Sequence, residues 1–227
     1  MKVLVATDAW HPQVNGVVRT LTMLAKAAQG LDVEISFLTP DLFRTVALPS
    51  YPDLRVALPR PTGIAQAIAE QKPDSIHIAT EGPIGLLTRR YCLKRGLPFT
   101  TSFHTRFPDY VAARAPVPES WVWATLRWFH GPSRAVMAAT PALATELRER
   151  GFENVVLWPR GVDITLFHPR DVDLCVPKPV FSASAALRSR KAFLSLELPG
   201  TKVIVGDGPA RRELEQAVFG RGVSRRS

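Results

Sequence analysis

A histidine is followed closely by an arginine and an aspartate within residues 102–110. His104 stands at the end of a short apolar run, and Arg106 and Asp109 come shortly after it. An imidazole in such a position can hydrogen-bond a substrate hydroxyl or take up a proton near neutral pH. A single histidine is also often structural, so the pattern leaves a catalytic and a structural role open for His104.

Loop 8–16 joins an apolar run to a segment with helical spacing that begins at Val17. The first turn of a helix presents unpaired amides and the positive end of the helix dipole, and a glycine such as Gly16 lets an anion approach the backbone. A turn glycine without a ligand is the competing explanation. The loop has no Gly-x-Gly-x-x-Gly pattern, which argues against a nicotinamide cofactor.

The segment Glu81-Gly82-Pro83-Ile84-Gly85 also lies between a predicted strand and a predicted helix. Two glycines around a proline indicate either close packing of the helix on a sheet or backbone amides exposed at the helix start. Close packing is the favoured interpretation. Glu81 is the member of this segment that we expect to face a cleft.

Alternating strands and helices must position these loops. The pattern predicts strands at 2–7, 33–38, 54–58, 75–79, 98–103, 135–139 and 155–158, and helices at 17–29, 62–71, 82–95, 119–129 and 141–150. Such alternation predicts an α/β fold, a Rossmann-like parallel sheet with helices on both faces. Parallel sheets bind ligands beyond the carboxyl ends of their strands, which is where the three loops lie.

Composition excludes several classes of protein. The 227 residues are 46% hydrophobic and 22% charged, which is typical of a folded chain. The net charge of +9 is concentrated after residue 180 with few aromatic residues beside it, so we expect no nucleic-acid partner. Cys92 and Cys175 form no framework, and Asp171 and Asp173 have no partner ligands, so we expect a reducing, cytoplasmic compartment and no metal.

Taken together, the motifs resemble the retaining GT-B glycosyltransferases of the family 4, or group 1, type. This family includes bacterial GDP-mannose-dependent α-mannosyltransferases and sulfolipid-type synthases. The resemblance is carried, in this order along the chain, by residues 11–17, 81–85, 102–105, 139–141, 160–163 and 206–209.

The resemblance implies two Rossmann-like domains, an amino-terminal one for the acceptor and a carboxy-terminal one for a nucleotide sugar. It implies transfer of a hexose, mannose or similar, from GDP-mannose or a UDP-sugar to a lipid or carbohydrate acceptor with retention and without a cofactor. His104 matches the histidine beside the transferred sugar, and Asn15 and Gly16 match the loop that meets the donor diphosphate. We assign substrate binding to Asp8, Glu81, Arg106 and Arg160.

The carboxy-terminal part departs from the family pattern. Residues 183–191 stand where the family has Gly-Arg followed by Glu-Lys. Codons that encode Ala183 to Lys191 can, two nucleotides later, encode Val-Gly-Arg-Val-Ala-Val-Glu-Lys, which indicates a truncated or frameshifted domain. We therefore expect an acceptor-side domain at 1–168, a connector at 169–179 and an incomplete donor-domain remnant at 180–227. Residues 180–191 and 217–227 are expected to lack stable structure.

Two functions remain open for the chain. One is a hexosyltransferase that is inactive or impaired in this form, and the other is a non-catalytic acceptor-domain fragment that only binds a ligand or a partner. Lipid acceptors are common in the family, so the aromatic segment 121–129 has two explanations as well. It could contact the inner face of the membrane peripherally, or pack against the sheet or a neighbouring helix, and packing is favoured.

Overall fold

The computed structural model describes residues 1–13, 15–48, 51–104, 117–170, 180–184 and 201–205, together with Arg212 and Gln216. The chain divides into two compact units, Met1–Val162 and Asp163–Ser227. The division lies ahead of the connector expected at 169–179.

The first unit contains eight strands within its described residues. They are β1 (Lys2–Ala6), β2 (Glu34–Leu38), β3 (Thr45–Leu48), β4 (Tyr51–Ala57), β5 (Ser75–Ile78), β6 (Phe99–Phe103), β7 (Val136–Ala138) and β8 (Val155–Leu157). Six of them form a parallel sheet in the order β2-β1-β5-β6-β7-β8. β3 and β4 form a separate antiparallel hairpin, so the strand predicted at 54–58 lies outside the main sheet. This arrangement confirms the predicted Rossmann-like α/β class.

Five α-helices connect these strands within the described residues. They are α1 (Gly16–Ala28), α2 (Pro61–Gln71), α3 (Pro83–Arg95), α4 (Glu119–His130) and α5 (Pro141–Glu149). Asn15 and Thr140 accept amide hydrogen bonds at the starts of α1 and α5, and proline occupies the first turn of α2, α3 and α5. These are the residues that favour a helix start, because each supplies an acceptor or removes an unpaired donor. Gly96 ends α3 in the left-handed region, at φ 64°.

The core lies on both faces of the main sheet. Along β1, Leu4 packs with Ile64 of α2 and Ile84 of α3, whereas Val5 packs with Leu21 of α1. Successive side chains of a strand point to opposite faces, so α1 covers one face and α2 and α3 cover the other. A further cluster around Phe103 joins β6 to α4 and α5. The sheet edge that carries the three loops is thus held by packing on both sides.

In the second unit, β9 (Val180–Ser184) pairs in parallel with β10 (Thr201–Val205). The expectation that residues 180–191 lack stable structure is therefore wrong for residues 180–184, which form β9. Four of the five residues of Thr201-Lys202-Val203-Ile204-Val205 are β-branched, which favours a strand at β10. The backbone of β9 then pairs with this strand in parallel. Residues 185–191 and 217–227 lie outside the described residues.

Candidate functional site at the carboxyl ends of the parallel strands

Three of the predicted site residues follow neighbouring strands of the main sheet. Asp8 follows β1, Glu81 follows β5 and His104 follows β6. The order β1-β5-β6 is continuous and parallel, so the carboxyl ends of these strands meet at one edge. The structure thus gathers loops that are far apart in sequence, as the alternating pattern predicts.

His104 contacts Arg160 directly. Nη2 of Arg160 lies 2.6 Å from Nδ1 of His104, although the two residues are 56 positions apart. The other ring nitrogen, Nε2, is buried and has no hydrogen-bond partner among the described residues. A buried polar atom without a partner costs free energy. An oxygen of a bound ligand would satisfy it.

Burial, together with the neighbouring Arg160 and His77, lowers the pKa of His104 to about 3. His104 is therefore neutral at neutral pH. Of the two chemical roles open to it from sequence, hydrogen bonding to a hydroxyl fits this environment, and uptake of a proton near neutral pH does not.

His77 is a second neutral histidine in the same region, and the sequence pattern did not single it out. Its Nδ1 lies 2.8 Å from Oγ1 of Thr100, and its Nε2 lies 2.8 Å from Oγ of Ser102. Burial lowers its pKa to about 4. Its polar partners lie on the neighbouring strand β6, so no pattern within β5 reveals them.

Asp8 holds the start of α3. Its carboxylate accepts hydrogen bonds from the amides of Ile84 and Gly85, at 2.9 and 3.2 Å, and from the hydroxyl of Thr80 at 2.9 Å. Burial raises the pKa of Asp8, and the three hydrogen bonds oppose that rise. The structure therefore shows a capping role for Asp8, and substrate binding by this residue stays a prediction.

The two glycines of the 81–85 segment are required by close approach. A Cβ atom at position 82 would collide with the Asp8 carboxylate, and one at position 85 would collide with the backbone oxygen of Thr80. The favoured interpretation of this segment, close packing of the helix on the sheet, is confirmed. The exposed-amide alternative is not, because the amides of Ile84 and Gly85 are bound to Asp8.

Glu81 contacts a histidine that sequence reasoning missed. Oε1 of Glu81 lies 3.3 Å from Nε2 of the fully buried His130, whose Nδ1 lies 2.9 Å from Oγ1 of Thr101. The signal available from sequence was weak, since His130 is the last residue of an aromatic-rich helix. Glu81 is thereby held at the edge of the sheet, with its side chain largely buried.

Asn15 and Gly16 form the start of α1. Oδ1 of Asn15 accepts hydrogen bonds from the amides of Val17 and Val18, each at 3.0 Å. The amide of Gly16 has no acceptor among the described residues, and a Cβ at this position would meet nothing within 4 Å. The start of α1, which we predict to bind the diphosphate, thus has one amide without an acceptor among the described residues and open space beside it.

A family model described as Glycosyltransferase Family 4 matches residues 14–166, which include the α1 start, the 81–85 segment, His104 and Arg160. The chain belongs to this family. The resemblance read from its motifs is thereby confirmed.

The relatives of the chain include two GDP-mannose-dependent α-mannosyltransferases. The chain is 25% identical to that of Corynebacterium glutamicum, over 95% of this chain and 60% of the relative. It is 24% identical to that of Mycobacterium tuberculosis, over 96% of this chain and 66% of the relative. A sulfoquinovosyl transferase of Arabidopsis thaliana is 24% identical over 78% of this chain and 38% of its own length. The chain thus spans about 60% of the C. glutamicum relative.

Solved structures of glycosyltransferases share the fold of this protein. The catalytic domain of starch synthase IV from Arabidopsis thaliana, bound to ADP and acarbose, superposes with a TM-score of 0.55 at 12% identity. That match covers 97% of this chain and 71% of the synthase. The lipopolysaccharide outer core galactosyltransferase WaaB gives a TM-score of 0.52 at 11% identity, over 97% of this chain and 65% of its own. The predicted GT-B type is confirmed at the level of fold.

Arg106, Asp171 and Asp173 lie outside the described residues. Within the part of the chain that is described, no group of three or more His, Cys, Asp or Glu residues could hold a metal ion. No helix of that part is long and apolar enough to cross a membrane.

Acidification is expected to destabilise the first unit through its neutral histidines. Unfolded histidines are protonated with a pKa near 6.5, whereas the pKa of folded His77 is lowered to about 4 and that of folded His104 to about 3. Between these values the unfolded state binds more protons, so the free energy of unfolding falls as the pH falls, by up to about 1.4 kcal/mol per pH unit and histidine. The raised pKa of Asp8 has the opposite sign and acts above its ordinary value of 3.8.

Urea midpoints measured from about pH 7.5 to about pH 5 test this dependence. His77→Gln should lose less stability than the unaltered chain over that range. An equal loss in both proteins would show that His77 is not a neutral histidine in the folded state.

Proposed function

We propose that the chain carries the acceptor-side half of a retaining hexosyltransferase site. The reaction would move a hexose, mannose or similar, from a nucleotide sugar to a lipid or carbohydrate acceptor in the cytoplasm. The observation that carries the proposal is the buried, unpartnered Nε2 of neutral His104 at the sheet edge. The names of the two mannosyltransferase relatives support GDP-mannose as the first donor to test.

In this proposal His104 hydrogen-bonds a hydroxyl of the transferred sugar. The open amide of Gly16 and the positive end of α1 face the diphosphate, with Asn15 fixing the helix start. Fixed amides and cations can stabilise the growing charge of a nucleoside diphosphate leaving group without a metal. Asp8, Glu81, Arg106 and Arg160 complete the proposed substrate-binding side.

We further propose that the 227-residue chain transfers sugar poorly or not at all. The domains would be 1–168 for the acceptor, 169–179 as connector and 180–227 as a donor-binding part that departs from the family pattern. Residues 183–191 lack the Gly-Arg and Glu-Lys pairs whose cations hold the diphosphate in the family. In the alternative, a non-catalytic fragment, the same site binds a ligand or partner and supports no chemistry.

Release of nucleoside diphosphate from GDP-mannose and UDP-glucose, with a mixed acceptor extract, tests these proposals. Two proteins are compared: the 227-residue chain, and a hybrid that joins its residues 1–168 to the carboxy-terminal half of the C. glutamicum relative. We expect release by the hybrid and none above background by the 227-residue chain. Robust release by the 227-residue chain would contradict its inactivity, and a folded but inactive hybrid would favour the binding-module alternative.

The outer face of α4 is the proposed site of peripheral membrane contact. Trp123 and Phe129 are buried, as the packing interpretation predicts, whereas Trp121 is 69% exposed and Trp128 is 56% exposed. The two exposed residues are seven positions apart and so share one side of the helix. The guanidinium of Arg89 lies 4.1 Å from the Trp128 ring, but it is buried and donates to the backbone oxygens of Trp128 and Phe129, so it is not a cation of the exposed face.

Co-sedimentation with phosphatidylglycerol vesicles and with phosphatidylcholine vesicles tests this contact. The double substitution Trp121→Ala and Trp128→Ala should abolish most binding to the anionic vesicles. Leu31→Ala serves as control, because Leu31 is an apolar residue that is 75% exposed elsewhere on the unit. Equal binding of the double variant and the control would remove the membrane role of α4.

A further inference from the structure

The contact between Arg160 and His104 restricts where the imidazole can carry its proton. A guanidinium offers only N–H donors and stays charged in proteins. Nη2 of Arg160 lies 2.6 Å from Nδ1 of His104, so Nδ1 must be the acceptor in this hydrogen bond. The proton of the neutral ring therefore sits on Nε2, the nitrogen that is buried without a partner among the described residues.

The surroundings of His104 oppose its charged form from more than one side. An imidazolium would place a second cation beside Arg160 and would leave Nδ1 a donor facing donors. His77, the other titratable group that acts on His104, is itself neutral and held by Thr100 and Ser102. Burial of the ring adds a desolvation cost to any charge it would carry.

We propose that Arg160 is a positioning residue that fixes His104 as a neutral imidazole with its proton on Nε2. The site then presents a permanent hydrogen-bond donor, so it selects ligand oxygens that accept a hydrogen bond, such as those of hydroxyl or phosphate groups. A ligand amine in its ammonium form would meet a donor and a nearby guanidinium. This role is additional to the substrate binding proposed for Arg160, and it depends on the proposed function only for the identity of the ligand.

Nitrogen-15 NMR of the 227-residue chain, labelled at its five histidines, reads the tautomer directly. The spectrum of His104→Gln assigns the His104 signals by their loss. In the unaltered chain we expect an unprotonated Nδ1 and a protonated Nε2, with no titration of His104 down to about pH 5. A protonated Nδ1 in the unaltered chain would overturn the proposal.

Arg160→Met should release the constraint. We expect His104 to become a mixture of its two neutral tautomers and its titration midpoint to rise, while the His77 signals stay unchanged and report an intact fold. Arg160→Lys keeps a charged donor and should restore much of the Nε2–H form. Arg134→Met removes the same charge from an exposed position and should leave His104 unchanged.

Retention of the pure Nε2–H form in Arg160→Met, with intact His77 signals, would overturn the proposal. If Arg160→Met does not fold, Arg160→Lys decides, since loss of the Nε2–H preference there would contradict a role for the donated hydrogen bond. None of these measurements uses a sugar nucleotide. A failure of transfer in the hybrid therefore leaves this inference intact, and an unexpected tautomer leaves the transferase proposal to its own test.

Discussion

His104→Ala is expected to lower sugar transfer by the hybrid about a hundredfold or more. The reason is that loss of one preorganised donor in a buried polar site typically costs that much in rate. The substitution also removes a ring whose Nε2 is buried and unpartnered among the described residues, so it deletes a donor held ready for a ligand. The measurement is kcat/KM for nucleoside diphosphate release from whichever donor the hybrid uses.

His104→Gln is the matched comparison for this experiment. Its amide can donate a hydrogen bond from a similar distance, so we expect a smaller loss than in His104→Ala. A kcat/KM for His104→Ala within about threefold of the unaltered hybrid would assign His104 to a structural role, since that difference is below 1 kcal/mol of transition-state stabilisation.

Gly85→Ala is expected to destabilise the 227-residue chain by at least about 2 kcal/mol, in the range of overpacking substitutions. The added Cβ would collide with the backbone oxygen of Thr80, and a backbone atom cannot rotate away as a side chain can. Moving α3 instead would disturb the hydrogen bonds from Ile84 and Gly85 to Asp8. The urea midpoint of unfolding, followed by far-ultraviolet circular dichroism, measures the loss.

Gly16→Ala is the control, because it makes the same chemical change in the first turn of a helix where nothing lies within 4 Å. Alanine stabilises helices relative to glycine by up to about 1 kcal/mol, so its midpoint should be unchanged or slightly higher. Comparable midpoints for the two variants would mean that the β5–α3 connection can relax around a methyl group.

The sequence predicted the elements of the fold better than the contacts between them. Strand and helix alternation is a local signal, and it placed Asp8, Glu81 and His104 at one sheet edge. The hairpin of β3 and β4 was missed, because a short apolar run such as 54–58 has the same local pattern whether it joins a central sheet or a two-stranded one.

Polar partners were the least predictable part of the site. Asp8 bonds to amides 76 and 77 positions away, and His130 bonds to Glu81 across 49 positions. Residue types at such separations carry no periodic signal, because only the folded topology brings them together. The buried face of the aromatic helix α4 follows the helical period, since the buried Trp123, Leu126 and His130 are spaced three and four positions apart.

The helices α1 and α3 begin at the same edge of the sheet, and they differ in the charge of the residue that caps them. The start of α3 is already neutralised by an internal anion, the carboxylate of Asp8, whereas α1 is capped by the uncharged amide of Asn15. An incoming anion would be repelled from the first and attracted to the second. The Asp8 carboxylate thus neutralises the positive end of α3 and leaves the positive end of α1 without a charged cap. The protein therefore favours an anionic ligand at α1 over α3 before any ligand binds.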